Sequence, residues 1–210
     1  MTDAGEISEI TSQAELREYV GDPLWRTATK VRPRLGELDR QWLASSAFCL
    51  VGTSDADGRC DVSPKGDPAG FTHVLDDTTI VVPERPGNRR VDGFLNVLSN
   101  PHVGLIYLLG GRGDTLRING RAKVLKDAPF FDEMIVKGNR PMLALLVEIE
   151  EVFYHCSKAF LRSQLWKPET WRPEDLPSRA HIAKTYERKE DSLEELEAYY
   201  GPGYAEKLYG

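Results

Sequence analysis

Six consecutive residues, Arg85-Pro86-Gly87-Asn88-Arg89-Arg90, carry the densest anion-binding chemistry in the chain. Gly87 permits a sharp backbone turn, Asn88 brings an amide, and each guanidinium presents a planar fork of donors that matches a phosphate. A helix expected directly behind them would add its free N–H groups and its dipole. On spacing alone, a solvated surface loop accounts for the same six residues equally well.

Other chemistry-bearing patterns are missing. His73, His102, His155 and His181 have no metal-ligand spacing among themselves or with the cysteines. There is no G-x-S-x-G elbow and no Walker loop, and Gly110-Gly111-Arg112-Gly113 lacks the strand-to-helix setting of a dinucleotide fingerprint. No catalytic residue and no metal are assigned. Cys49, Cys60 and Cys156 are an odd, scattered set, which argues against a disulfide framework and for a reducing compartment. Each is read as a small buried apolar residue rather than a redox thiol.

The elements that must position the arginine loop follow from periodicity. Ser12 and Glu15 have capping-box spacing ahead of Leu16, Tyr19 and Val20, so a helix opens the chain. A second helix is expected over 37–46, with Leu35, Leu38, Trp42 and Leu43 as its apolar stripe. Strands are expected over 48–53, 59–63, 78–83, 103–109, 115–125 and 142–153. Asn119-Gly120 inside the fifth reads as a hairpin turn or a bulge. One helix over 91–99 follows the arginine loop and stops at Asn100-Pro101; a short one is expected over 129–136. Closely spaced strands without long intervening helices favour an antiparallel sheet closing into a barrel. Beyond a helix over 157–165 comes a proline-rich connector, then one or two helices over 178–200 whose acidic run is a solvated face.

Composition narrows the function classes. A net charge of −6 argues against a nucleic-acid partner. Residues 85–123 nonetheless hold seven basic residues against Asp92 and Asp114, a local positive zone suited to a small anion. No window reaches the roughly 18 apolar residues of a membrane span. The acidic start lacks the apolar core of a secretory signal, so the expected location is the cytoplasm.

Four blocks, in order, resemble the flavin-binding proteins of the pyridoxamine 5'-phosphate oxidase-like class, especially a subgroup of probable FMN-dependent enzymes. They are Asp61-Val62-Ser63-Pro64-Lys65-Gly66-Asp67, Arg85-Pro86-Gly87-Asn88-Arg89-Arg90-Val91-Asp92, Thr115-Leu116-Arg117-Ile118-Asn119-Gly120-Arg121-Ala122, and His155-Cys156-Ser157-Lys158-Ala159. The resemblance implies an α+β, mainly β fold: an FMN-binding split β-barrel, antiparallel, with peripheral helices and a helical C-terminal tail. It divides the chain into N-terminal helices packed on the barrel (1–47), the barrel (48–166) and the tail (167–210).

It also implies a homodimer with FMN at the subunit interface. Lys65, Arg85, Asn88 and Arg90 match the flavin-phosphate ligands, Val62, Ser63 and Pro64 would lie along the flavin ring, and Asn96 would brace the phosphate loop. Arg117, Lys158, Arg162, Ser163 and Trp166 would approach from the barrel or the partner subunit. The implied activity is an FMN-dependent oxidoreductase acting on a small molecule, with a reductase using NAD(P)H as one form of it. The pattern departs from the true oxidase: the Ser-Arg-Lys run is replaced, and the pyridoxal-phosphate signature has no counterpart, which leaves the substrate open. A flavin carrier or sensor without turnover, and a barrel holding a deazaflavin or haem, are the alternatives.

Overall fold

The computed structural model describes residues 7–209, so the first six residues of the expected 1–47 segment and the last residue of the 167–210 tail lie outside it. Contacts divide the chain into two units, Met1–Val31 and Arg32–Gly210. The division falls inside the expected N-terminal segment, for a local reason. Arg32 exchanges both backbone hydrogen bonds with Val152, at 3.0 and 2.7 Å, and Leu35, Trp42 and Leu43 belong to the barrel core.

The first unit holds α1 (Gln13–Val20) and α2 (Trp25–Ala28). The opening of α1 is the one its sequence predicts. Ser12 Oγ accepts from the Glu15 N–H at 3.1 Å, and the Glu15 carboxylate accepts from the Thr11 N–H at 3.0 Å. Its apolar residues Leu16, Tyr19 and Val20 are exposed.

The second unit begins with α3 (Glu37–Ser45). Asp39 in its first turn accepts from the Gly36 N–H at 2.7 Å and from both terminal nitrogens of Arg32, at 2.6 and 2.9 Å. Burial pushes the Asp39 carboxyl up, but the bonds from Arg32 and Gly36 outweigh it, and the group sits below the usual carboxylate range. Seven strands follow: β1 (Phe48–Ser54), β2 (Cys60–Gly66), β3 (His73–Val74), β4 (Thr79–Glu84), β5 (His102–Leu108), β6 (Thr115–Leu125) and β7 (Leu143–His155), with α4 (Asp92–Ser99) between β4 and β5. They form one sheet in the order β2-β1-β5-β6-β7-β4-β3, antiparallel throughout.

The sheet is a split β-barrel. Lys65 near the end of β2 forms an ion pair with Glu84 at the end of β4, and Arg85 meets Asp67 at 2.5 Å. Four strands separate β2 from β4 in hydrogen-bonding order, so these pairs require the sheet to curl back on itself. No backbone ladder joins the two strands among the described residues, which leaves β2 with one unpaired edge. Val51, Val82, Leu105, Tyr107, Leu116 and Ile118 fill the interior. Val81 points the other way from Ile80 and Val82, into a second cluster with Phe131, Met134 and Ala144. That covered face explains the continuous apolar run of β4. The segment expected as a helix over 129–136 is the 3₁₀ turn Pro129–Met134, which supplies the cover.

β6 is one bulged strand, not a hairpin: its register with β7 shifts between Asn119 and Gly120. A Cβ on Gly120 would lie 2.1 Å from the Glu148 carbonyl oxygen, a distance no side chain tolerates. After β7 come α5 (Lys158–Ser163), the connector, α6 (Arg179–Tyr186), α7 (Leu193–Tyr199) and a 3₁₀ turn, Pro202–Lys207. Tyr209 Oη donates to Asp67 Oδ1 at 2.7 Å, fastening the tail beside β2.

Candidate functional site

The split in the barrel opens into a cavity of about 470 Å³. It is lined by residues 61–65 of β2, by Glu84, Arg85 and residues 87–91, and by the first turn of α4 with Met142 and Leu143. Because β2 is an edge strand, alternate N–H and C=O groups along one side of it have no strand partner. Val62 is 62% exposed, so an apolar side chain stands open at this edge.

Each basic residue of the cavity is held differently. Lys65 Nζ is paired with Glu84 and lies 5.2 Å from the centre of the Phe94 ring. One of its three N–H donors is engaged, and two remain. Arg85 lines the cavity with all three of its nitrogens engaged: Nε by Asp67, one terminal nitrogen by the Asn139 carbonyl at 3.1 Å, the other by the Met134 carbonyl at 2.7 Å. It clasps three segments together, a structural role beside the phosphate contact expected of it. Arg90 gives Nε to Asp92, leaving its terminal N–H groups free to donate. Its backbone N–H donates to Asn88 Oδ1 at 3.0 Å, so the Asn88 carbonyl shapes the turn and its NH₂ stays available.

Arg89 makes no hydrogen bond or ion pair among the described residues. It has φ +63° and Val91 φ +48°, left-handed backbone that a β-branched residue rarely adopts.

The other expected residues lie outside this cavity in the single chain. Asn96 donates to Thr53 Oγ1 at 3.0 Å, tying α4 to β1. Arg117 alternates with the buried Leu116 and Ile118, so it points outward, 5.0 Å from the Phe153 ring, and its buried Nε has no partner. Lys158, Arg162 and Ser163 stand on α5, and Ser163 Oγ donates to the Phe160 carbonyl at 3.2 Å. Trp166 Nε1 donates to the Arg112 carbonyl at 2.6 Å, with its ring stacked on Phe160.

Glu84, Phe94 and Met142 are cavity residues that the sequence reading missed. Only Glu84 left a trace, an acid directly ahead of the basic loop. The cysteines divide: Cys49 is buried, and burial pushes its thiol up to about 12, whereas Cys60 and Cys156 are exposed, against expectation.

No helix among the described residues is long and apolar enough to cross a membrane. The sequence model of the pyridoxamine 5'-phosphate oxidase family matches residues 35–156. No curated protein matches the chain. Among solved structures, the chain is similar to a putative pyridoxamine 5'-phosphate oxidase from Lactobacillus delbrueckii, with 24% identity over 58% of this chain and 95% of that one, and a TM-score of 0.46. HupZ of group A Streptococcus shares 18% identity over 57% of this chain and 93% of that one, with a TM-score of 0.46. An F420 reductase shares 11% identity over 58% of this chain and 98% of that one, with a TM-score of 0.41.

Proposed function

The chain belongs to the pyridoxamine 5'-phosphate oxidase family, and from that premise we propose that it is an FMN-dependent oxidoreductase acting on a small molecule. The observation that carries the reading is the cavity in which edge strand β2 faces the basic loop 85–90. Its volume of about 470 Å³ falls within the range of roughly 300–1,000 Å³ that small-molecule sites occupy.

The donor set fits a flavin phosphate. Lys65, the Asn88 NH₂ and the terminal N–H groups of Arg90 each retain donors. The Arg90–Asp92 pair is largely exposed, so it is weak enough for a phosphate dianion to compete with Asp92. The unpaired edge of β2 offers backbone groups to the ring's polar rim, and Val62 and Pro64 offer apolar contact to its face. Bound FMN would supply hydride chemistry, and the protein's share is to bind, orient and shield it.

The same reading makes the protein a homodimer. Arg117, with a buried unpartnered Nε on the outward face of β6, and the α5 residues Lys158, Arg162 and Ser163 do not line their own chain's cavity, which supports a reading in which they serve a second copy's. Three unpaired thiols suit the cytoplasm.

The test is the absorption spectrum of freshly purified protein, with mass identification of whatever denaturation releases. Released FMN, reduction by NADH or NADPH and reoxidation by oxygen support the proposal. A colourless chain that takes up no added FMN sinks it; a flavin that no donor reduces leaves a carrier or sensor; a released deazaflavin or haem replaces the cofactor.

A further inference from the structure

A second cavity, of about 520 Å³, shares Gly87, Asn88, Arg89 and Met142 with the first. The basic loop is therefore a partition with a ligand-sized space on each side. The new wall comes from the tail: Tyr199 at the end of α7, Tyr204 in the 3₁₀ turn, and Leu208. All three are about half exposed although they line a cleft, and Met142 opposite them is 58% exposed. Apolar and aromatic groups gathered around one space, and left open there, mark a binding surface more than a packing defect.

The tail holds this wall in place. Tyr199, Tyr200 and Tyr204 pack with ring centres 4.9 to 5.6 Å apart. Arg188 and Arg179 lie over the outer rings of Tyr199 and Tyr200, each at 4.8 Å. Tyr209 then fastens the chain end to Asp67, the carboxylate that also receives Arg85 at the root of the basic loop. Loop and tail thus share one anchor, which fixes their separation across the cleft.

The chemistry of the lining selects a class of ligand. Arg89 is the guanidinium of the loop that no group engages among the described residues, and it lines this cavity. Phenol rings, a thioether and a leucine make the rest of the wall suited to a flat apolar body. We infer that this second cavity binds a planar aromatic molecule carrying a carboxylate or similar anionic group, held by Arg89 and the Tyr199–Tyr204 wall. The site is argued from its own lining and does not rest on the flavin reading of the first cavity.

The experiment titrates the full-length, FMN-loaded protein with 2-naphthoate and, as a neutral isostere, 2-naphthamide, by calorimetry. Saturable binding of one naphthoate per chain is expected, with the amide about tenfold weaker because it forfeits the charged hydrogen bond to Arg89. Tyr204→Ala and Leu208→Glu are each expected to weaken naphthoate about fivefold or more while FMN affinity stays within about twofold. Leu208 is exposed, so its substitution does not burden folding and keeps the test decisive if Tyr204→Ala misfolds.

Naphthoate that fails to bind, binds as well to Leu208→Glu, or displaces FMN overturns the inference. If the protein takes no flavin, the proposed function falls; the same titration of the flavin-free chain, with the same Leu208→Glu comparison, still decides for or against the second site.

Discussion

The barrel buries one continuous cluster that runs from Leu35 and Trp42 through Leu105, Leu116 and Ile118 to Val152, whereas the tail helices α6 and α7 bury Ala180, Ala183 and Leu196 with Tyr200 against them. The tail replaces apolar volume with arginine–tyrosine stacking, hydrogen bonds from Lys184 to the Lys189 and Asp191 carbonyls, and a hydrogen bond from Tyr209 to Asp67. A scaffold that stands on dispersion and burial is stiff, because every side chain in it is fixed by several others. An element held by half-exposed stacks opens locally at low free energy, and such elements are where binding sites adapt. Each side of the basic loop therefore faces a different material: a rigid strand edge toward the first cavity, an adjustable aromatic wall toward the second.

The largest effect that would break this contrast concerns the bulge in β6. Gly120→Ala places a methyl against the Glu148 carbonyl, and neither backbone can retreat without breaking the β6–β7 ladder. A loss of about 3–5 kcal/mol is expected, measured by denaturant unfolding. Unchanged stability would mean that the barrel yields as readily as the tail.

Next comes a matched pair of truncations. Ile118→Ala in the barrel should cost about 2–5 kcal/mol of global stability, the range of large-to-small changes in a closed core. Leu196→Ala removes an equally buried side chain, but its expected result is local: faster amide exchange in α6 and α7 with the main transition unmoved. Coincident loss in both variants would make the tail part of the cooperative core.

How far the sequence foretold all this depended on how far away each partner lies. Strand positions, α4 and the capped start of α1 were legible because periodicity and caps are local. Asn119-Gly120 was not, since a hairpin and a bulge call for the same dipeptide, and only the approach of Glu148 from another strand decides between them. In the loop, three arginines of one type stand within six residues. Which one folds inward is set by Asp67, Met134 and Asn139, brought there from 18 to 54 positions away. Met142 and the tail tyrosines joined the partition by the same route, and nothing in their own neighbourhoods announced it.

On the flavin side, Arg90→Ala should weaken FMN binding by about 1.5–3 kcal/mol, the scale of a charged hydrogen bond. Arg85→Ala should instead lower stability, since its donors hold the protein together. Fluorescence titration of FMN alongside unfolding curves separates the two, and the opposite assignment would reverse the roles given to these arginines.

The barrel's pH response adds a finer mark. Asp39 is ionised below the usual carboxylate range when folded, so its contribution is present above about pH 4 and is lost as pH falls through the depressed folded value. Tyr154 is pushed up to about 12, chiefly by burial and then by Asp39, so stability should fall between about pH 10, where the unfolded phenol ionises, and that value. Tyr154→Phe should reduce this alkaline limb, to which buried Cys49 and Tyr107 also contribute, and should shrink the acid limb slightly, because the Tyr154 hydroxyl is one of the bonds that hold Asp39 down. An unaltered alkaline limb would remove Tyr154 from the account.

The smallest effect belongs to the tail. Ser192 Oγ accepts from the Glu195 N–H at 3.1 Å while the Glu195 carboxylate accepts from the Ser192 N–H at 2.8 Å, a reciprocal cap on α7. Ser192→Ala forfeits one of those bonds and should cost about 1 kcal/mol, confined to the helix it starts. Exchange of the α7 amides should quicken roughly fivefold while barrel amides keep their protection, since that energy corresponds to such a factor. If Tyr199 belongs to a ligand wall, an aromatic acid that binds there should slow the same amides again, because a ligand stabilises only the closed form. A cap mutation that instead lowered barrel protection would show that α7 is no separate element at all, and that the loop between the two cavities stands on rigid ground on both sides.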